Sequence, residues 1–131
     1  MGTTMHAHIE VKLGNDWLHF ATPSVQRDYT LFELINELHA ETVDNKIIDM
    51  ASEVTRKCFA QDCDSYRIHD MFVLQAEDLP VLQQRLWDAH TDKSILDLDL
   101  EGSIFHTYVN GNTLAQHQGW DDLRIIGWYD N

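Results

Sequence analysis

The chain has 131 residues, of which 44% are hydrophobic and 10% aromatic, and this size predicts one globular domain over residues 1–131. No apolar run approaches the roughly 18 residues that a membrane-spanning helix needs, so no membrane association is expected. Twenty-two acidic against nine basic residues give a net charge of −13, which argues against nucleic acid and acidic membranes as direct ligands.

The acidic balance leaves three interpretations open. It can attract a basic protein surface, including by imitation of nucleic-acid charge, it can gather carboxylates around a metal ion, or it can serve solubility alone. The first residues lack a basic region followed by an apolar stretch, so a cytoplasmic protein is expected. Cys58 and Cys63 are the two cysteines, and free thiols rather than a disulfide are predicted for them.

A β-hairpin is predicted at the start of the chain. Residues 6–13 alternate between apolar and polar side chains, which is the period of a half-buried strand. Gly14 and Asn15 then indicate a turn, and residues 17–21 the returning strand. The regular alternation begins only at His6, so residues 1–5 are expected to form a flexible leader.

Three helices are predicted in the middle of the chain. Thr30 and Glu33 have the spacing of a capping box, which predicts a helix over about residues 30–40. A second helix is expected from about residue 44, because apolar side chains continue at helical spacing as far as Cys58. After a short apolar strand at residues 71–74, Asp78 predicts the start of a third helix that ends near His90.

The last third of the chain changes to the period of strands. Residues 95–101 alternate between apolar and acidic side chains, Asn110 and Gly111 indicate a hairpin turn, and residues 123–129 predict a closing strand. The predicted fold class is therefore α+β, with an N-terminal hairpin, about three helices packed on one face of a mostly antiparallel sheet, and a C-terminal strand.

Two sequence blocks carry a resemblance to a known family. Arg27 to Phe32 reads R-D-Y-T-L-F, and Arg124 to Asn131 reads R-I-I-G-W-Y-D-N. The chain resembles a small family of phage and prophage proteins that carry an R-D-Y-x-L-F block and end in a strand close to R-x-V-F-W-F-D-N. Gly127 and Tyr129 depart from this pattern, which has phenylalanine at both positions. The resemblance implies no particular reaction, but it implies a protein that works in the cytoplasm of a host cell.

The two blocks also supply a candidate binding site. By the two-residue period of a strand, Arg124, Trp128 and Asp130 share one face of the closing strand, while Tyr129 takes the other face. These polar and aromatic side chains can line a groove. The predicted binding residues are Arg27, Asp28, Tyr29, Arg124, Trp128 and Asp130. Alternatively, they are buried ion pairs and core aromatics that fix the fold.

A metal site is a second hypothesis. His6, His8 and Glu10 lie on one face of the first strand at a spacing that can offer two or three ligands to a divalent metal ion. A solvated strand face is the alternative explanation. Cys58, Cys63 and His69 have a looser spacing than zinc sites prefer, and the His69-Asp70 step of metal-dependent phosphohydrolases is too short a motif to carry weight.

No nucleophile motif and no glycine-rich phosphate loop occurs in the sequence, so binding without catalysis and without a cofactor is the favoured function. Together with the resemblance, the acidic charge suggests an accessory protein that binds a host protein and inhibits it or a defence system. One alternative is a metal-dependent hydrolase or metal-binding protein. Another is a binder of a small signalling nucleotide, which requires Arg27, Arg67 and Arg124 to converge near Tyr29 and Trp128.

Overall fold

The computed structural model describes residues 2–23, 25, 29–38, 44–89 and 120–131. Within these ranges the strands are β1 (Thr4–Leu13), β2 (Asp16–Ala21), β3 (Ile68–Gln75) and β4 (Asp122–Asp130). The helices are α1 (Tyr29–Leu38), α2 (Asp44–Met50), α3 (Glu53–Ser65) and α4 (Asp78–Ala89). The strands form one sheet in the order β2-β1-β4-β3, and every neighbouring pair is antiparallel. The predicted α+β class is confirmed.

The N-terminal hairpin is confirmed, and its first strand is longer than predicted. Gly14 lies in the turn with a φ of 64°, a backbone conformation that glycine adopts without steric cost. Thr4 and Met5 belong to β1, and Met5 is 4% exposed in the core. These two residues of the predicted leader are therefore part of the sheet.

β4 is the centre of the structure. It pairs with β1 along one edge and with β3 along the other, and every residue from Leu123 to Asp130 is buried. A strand that is covered on both faces needs apolar or internally paired side chains on both faces. The sequence of β4 meets this requirement, since its buried charged residues Arg124 and Asp130 both have partners.

Helices cover both faces of the sheet, so the prediction of helices on one face was wrong. On the first face, Ile125 and Tyr129 of β4 pack with apolar residues of β1, α1 and α4. On the second face, Ile126 and Trp128 pack with residues of α2 and α3, among them Ile47. The polar row of β1 misled the prediction, because it indicated a solvated face where the structure has a covered one.

The predicted second helix is two helices. α2 ends at Met50, and α3 begins at Glu53 after Ser52, whose extended backbone and side chain form an N-cap. The Ser52 hydroxyl accepts a hydrogen bond from the Thr55 amide at 3.4 Å. Apolar spacing continued through this junction and concealed it, although serine is among the residues that most favour helix starts.

The remaining elements agree with the predictions to within a few residues. α1 begins at Tyr29, so Thr30 lies inside the first turn and not before it. α4 begins at the predicted Asp78, whose carboxylate accepts a hydrogen bond from the Gln75 amide at 2.8 Å. The strand predicted at residues 95–101 and the Asn110-Gly111 hairpin lie outside the described residues. In the described ranges, no helix is both long and apolar enough to cross a membrane.

Candidate functional site

Two sets of predicted site residues belong to one layer of the structure. They are the metal ligands proposed on β1, His6, His8 and Glu10, and the binding residues proposed on β4, Arg124, Trp128 and Asp130. His6 pairs with Trp128 and Glu10 with Arg124 in the β1–β4 register, so the two sets lie side by side on the second face of the sheet. α2 and α3 cover that face. This layer is therefore largely enclosed, and its contacts are mostly internal.

Glu10 and Arg124 form a buried ion pair in this layer. Arg124 donates from Nη2 and Nε to Glu10 Oε1 at 2.8 and 2.9 Å, and the side chains are 4% and 0% exposed. The guanidinium also stacks on the Trp17 ring, with its Cζ 4.0 Å from the ring centroid. Arg124 is enclosed by these contacts and has no free surface for a ligand phosphate.

The ion pair holds the junction between α2 and α3. Arg124 Nη2 donates to the carbonyl oxygen of Met50, the last residue of α2, at 2.6 Å. Glu10 Oε2 accepts from the Ser52 amide at 2.8 Å and from the Thr55 hydroxyl at 2.6 Å, next to the start of α3. A cation at a helix end and an anion at a helix start both have favourable electrostatics. The role of the pair is structural.

The hydrogen bonds of Glu10 determine its charge. Burial raises the pKa of the Glu10 carboxyl, but the hydrogen bonds from Ser52, Thr55 and Arg124 outweigh burial and lower the pKa below its ordinary value. Glu10 is therefore ionised at neutral pH. Its carboxylate oxygens already accept bonds from three residues, which leaves the hypothetical metal site without one of its ligands.

His8 is a neutral histidine in the same layer. Its ring stacks on Trp128 with centroids 4.8 Å apart, and its Nδ1 lies 3.1 Å from His19 Nε2. The Thr22 hydroxyl is 3.0 Å from both of these nitrogens. Burial, followed by the proximity of His19, lowers the pKa of His8 to about 4. His8 thus contacts His19 and Thr22 rather than His6 or Glu10.

His6 and Asp130 lie at the margin of the layer. His6 Nε2 hydrogen bonds to Asp130 Oδ2, and His6 Nδ1 is 3.7 Å from Asp62 Oδ2. The Trp128 indole donates to the same Asp62 oxygen at 2.9 Å. His6 and Trp128 therefore connect the sheet to Asp62 of α3, and Asp130 holds His6 from within the sheet. Over the described ranges, no group of three or more His, Cys, Asp or Glu side chains converges to hold a metal ion.

The two cysteines of the looser zinc hypothesis carry free thiols, as predicted. Cys58 is half-buried against the second apolar cluster, and Cys63 is exposed. Burial, followed by the neighbouring carboxylates of Asp62 and Asp64, raises the pKa of the Cys63 thiol. A raised pKa disfavours the thiolate, which is the form that binds metals and attacks electrophiles.

Tyr29 lies on the opposite side of the sheet from Trp128. It starts α1, which packs on the first face, and the residue is 55% exposed. Its hydroxyl accepts a hydrogen bond from the Thr3 amide at 3.3 Å. Arg27 and Asp28 lie outside the described residues. The sheet therefore separates Tyr29 from Arg124 and Trp128, with which the nucleotide hypothesis requires it to converge.

Tyr29 instead lines a cleft of about 380 Å³ between α1 and the start of β3. The described residues that line it are Thr3, Tyr29, Phe32, Glu33, Asn36, His69, Asp70 and Tyr129. At its rim, His69 Nδ1 lies 2.9 Å from Asp70 Oδ2, and His69 Nε2 lies 3.1 Å from Asn131 Oδ1. The cleft thus combines aromatic rings with two carboxylates.

Tyr129 is the most buried residue of this cleft. It is 2% exposed, and its ring packs against those of Phe32, Phe72 and His69 at centroid distances of 5.1, 5.6 and 6.0 Å. Its hydroxyl is buried and has no hydrogen-bond partner among the described residues. Such a group costs roughly 1–3 kcal/mol of stability. Burial, followed by the nearby Asp70 carboxylate, raises the pKa of Tyr129 well above its ordinary value, so the hydroxyl stays neutral.

Sequence reasoning missed this cleft, although parts of it were visible. Tyr129 was correctly assigned to the strand face opposite Arg124, but an apolar environment offered no reason to mark it as a site. His69 and Asp70 were considered only as metal ligands. Their meeting with Tyr29 depends on the pairing of β3 with β4 and on the packing of α1 against the first face of the sheet, which no local pattern reveals.

A second cleft of about 500 Å³ lies between β2 and the α2–α3 junction. Trp17 and Met50 line it, and both also contact Arg124, so this cleft belongs to the structural ion-pair cluster.

Comparison of the chain with protein-family models, with curated proteins and with solved structures gives no match. The choice of a candidate site therefore rests on geometry alone. The cleft around Tyr29 and Tyr129 is the best candidate, because the residues of the second cleft serve the ion-pair cluster.

Proposed function

We propose that this protein acts by binding a basic protein partner, and that the cleft between α1 and β3 is part of the binding surface. The observation that carries the proposal is the lining of the cleft, which the exposed Tyr29 shares with Glu33 and Asp70. Tyrosine is enriched in protein interfaces, because it contributes a large apolar surface and one polar group at low entropic cost.

The charge of the whole chain supports a basic partner. A net charge of −13 attracts a positively charged surface over a distance and accelerates association at low salt. Glu33 is exposed, and the Asp70 side chain is 69% exposed, so both carboxylates are available at the cleft. None of the described residues that line the cleft is lysine or arginine.

The resemblance to phage proteins suggests where such a partner is found. An accessory protein of this kind acts in the cytoplasm of a bacterial host, and its partner is then a host protein. If the partner's basic surface normally binds nucleic acid, an acidic protein seated on it competes for that surface and inhibits it. Inhibition of a host protein or defence system is thus the specific form of the proposal.

Affinity capture followed by a direct binding measurement tests the proposal. The bait is the wild type, a Glu33→Gln, Asp70→Asn double variant, or a Glu37→Gln, Glu77→Gln control that loses the same charge outside the cleft. We expect the wild type and the control to enrich the same basic protein from a bacterial lysate, and the cleft variant to lose it. The enriched protein is then purified and titrated by calorimetry. Equal affinity for all three baits would show that the cleft is not the binding surface.

The two alternative functions have less support from the described residues. A signalling-nucleotide site requires Arg124 to reach a phosphate, but Arg124 is bound to Glu10 and enclosed by Trp17. A metal site on β1 requires Glu10 and His8, which have other partners. Metal analysis of the purified protein, followed by thermal unfolding with a chelator, tests the metal alternative independently of the cleft.

A further inference from the structure

The chemistry of the cleft also indicates which group of the partner it receives. We infer that the cleft binds the cationic end of an arginine or lysine side chain of the basic partner, held between its aromatic rings and its two carboxylates. This inference rests on the proposed function and adds the ligand's chemical class. Three features of the described residues lead to it.

Aromatic rings form the first feature. Tyr29, Phe32 and Tyr129 all line the cleft, and their rings are tilted relative to each other, by 88° between Tyr29 and Phe32 and by 60° between Phe32 and Tyr129. The face of an aromatic ring carries partial negative charge and attracts ammonium and guanidinium groups. Arginine in addition stacks its planar group on such a face.

The two carboxylates form the second feature. Glu33 lies on α1, and Asp70 lies on β3 at the point where the β3–β4 register shifts. Asp70 has a φ of 51°, in the left-handed region that aspartate tolerates better than most residues, and its carboxylate contacts His69 Nδ1. Two carboxylates on facing elements attract a cation and repel an anion.

The Tyr129 hydroxyl forms the third feature. This buried hydroxyl lacks a hydrogen-bond partner among the described residues, and Tyr129 belongs to the lining of the cleft. A guanidinium or ammonium group has several N–H donors, and the hydroxyl oxygen can accept a hydrogen bond from one of them. A cationic side chain therefore suits the exposed Tyr29 ring, the two carboxylates and the buried Tyr129 hydroxyl together.

The probe for the test is a short, capped Gly-Ser peptide that carries one arginine, together with a matched peptide in which citrulline replaces the arginine. Citrulline keeps the shape and removes the charge. Titration of isotope-labelled protein is followed by NMR. We expect the arginine peptide to shift the amide signals of Thr3 and Asp70, and the citrulline peptide to leave them unchanged at the same concentration.

Variants assign the binding to named groups. Glu33→Gln with Asp70→Asn is expected to weaken binding of the arginine peptide by roughly tenfold or more, as the loss of charge-assisted hydrogen bonds implies. Tyr129→Phe is expected to weaken it several-fold while the thermal unfolding midpoint stays the same or rises. A purely structural tyrosine would show the opposite result, with lower stability and unchanged binding. Glu37→Gln is the control on the same helix.

Three results would overturn the inference: no shifts at the cleft, equal binding of the citrulline peptide, or shifts of the same signals by inorganic phosphate. These results are separable from failure of the proposed function. If the purified partner binds through Glu33 and Asp70 but the arginine peptide does not enter the cleft, the ligand class is wrong and the proposed function stands. If the peptide binds and no basic protein does, the proposed function fails instead.

Discussion

Glu10 and Arg124 lie 114 residues apart in the chain and meet in a buried ion pair with an Nη2 to Oε1 distance of 2.8 Å. They are directly opposite each other in the β1–β4 register. The pair therefore belongs to the centre of the sheet, and through Met50 and Ser52 it also fixes the junction of two helices. The charged side chains that looked most suited to ligand binding are used to assemble the fold.

Substitution of one partner of this pair should be severely destabilising. Arg124→Met leaves the Glu10 carboxylate buried without its counter-ion, and we expect a loss of about 3–5 kcal/mol in the free energy of unfolding. Glu10→Gln with Arg124→Met removes both charges and should cost less than Arg124→Met alone. Urea unfolding followed by circular dichroism measures both variants. A loss below about 1 kcal/mol for Arg124→Met would place the pair among weak surface contacts.

Stability should fall on mild acidification because of His8. Its pKa in the folded protein is about 4, below the ordinary value of 6.5, so the unfolded chain binds more protons between these pH values. Stability is therefore highest above pH 6.5 and decreases by about 3 kcal/mol as the pH falls to 4. The lowered pKa of His19 acts in the same direction.

The matched variant is His8→Phe, which keeps a ring against Trp128 and removes the titrating group. Its unfolding free energy, measured by urea titration at a series of pH values, should depend less on pH between 6.5 and 4 than that of the wild type. The lowered pKa of Glu10 adds a loss of stability at still lower pH in both proteins. Identical pH profiles would mean that His8 is not the group responsible.

Gly127 should tolerate no side chain. Phe72 is its cross-strand partner, and a Cβ at position 127 would meet the Phe72 ring and lie 2.6 Å from the His6 carbonyl oxygen. Gly127→Ala is expected to cost about 1–3 kcal/mol, the usual range for overpacking. Because the backbone oxygen cannot move aside, Gly127→Ala should still destabilise a Phe72→Leu background. If Gly127→Ala caused no loss of stability in the Phe72→Leu background, the whole clash would come from the Phe72 ring.

The sequence predicted elements well where one local pattern decided them. The alternation of β1, the start of α4 at Asp78 and the closing strand were all found, because burial of one face or a cap leaves a direct trace in the residues. The Ser52 junction was missed, since apolar spacing on both sides continues without interruption and the cap depends partly on distant Glu10. The cleft was missed because β3 and α1 approach each other only through tertiary packing.

Asp70 provides a test of the cleft that does not need a ligand. Its φ of 51° disfavours β-branched residues, so Asp70→Val should cost about 1–2 kcal/mol in unfolding free energy. Asparagine shares the tolerance of aspartate for this conformation, so Asp70→Asn should stay within about 0.5 kcal/mol of the wild type. Thermal and urea unfolding of both variants measure the difference. If Asp70→Asn is as unstable as Asp70→Val, the carboxylate stabilises the fold through its contact with His69, and its availability to a cationic ligand is correspondingly reduced.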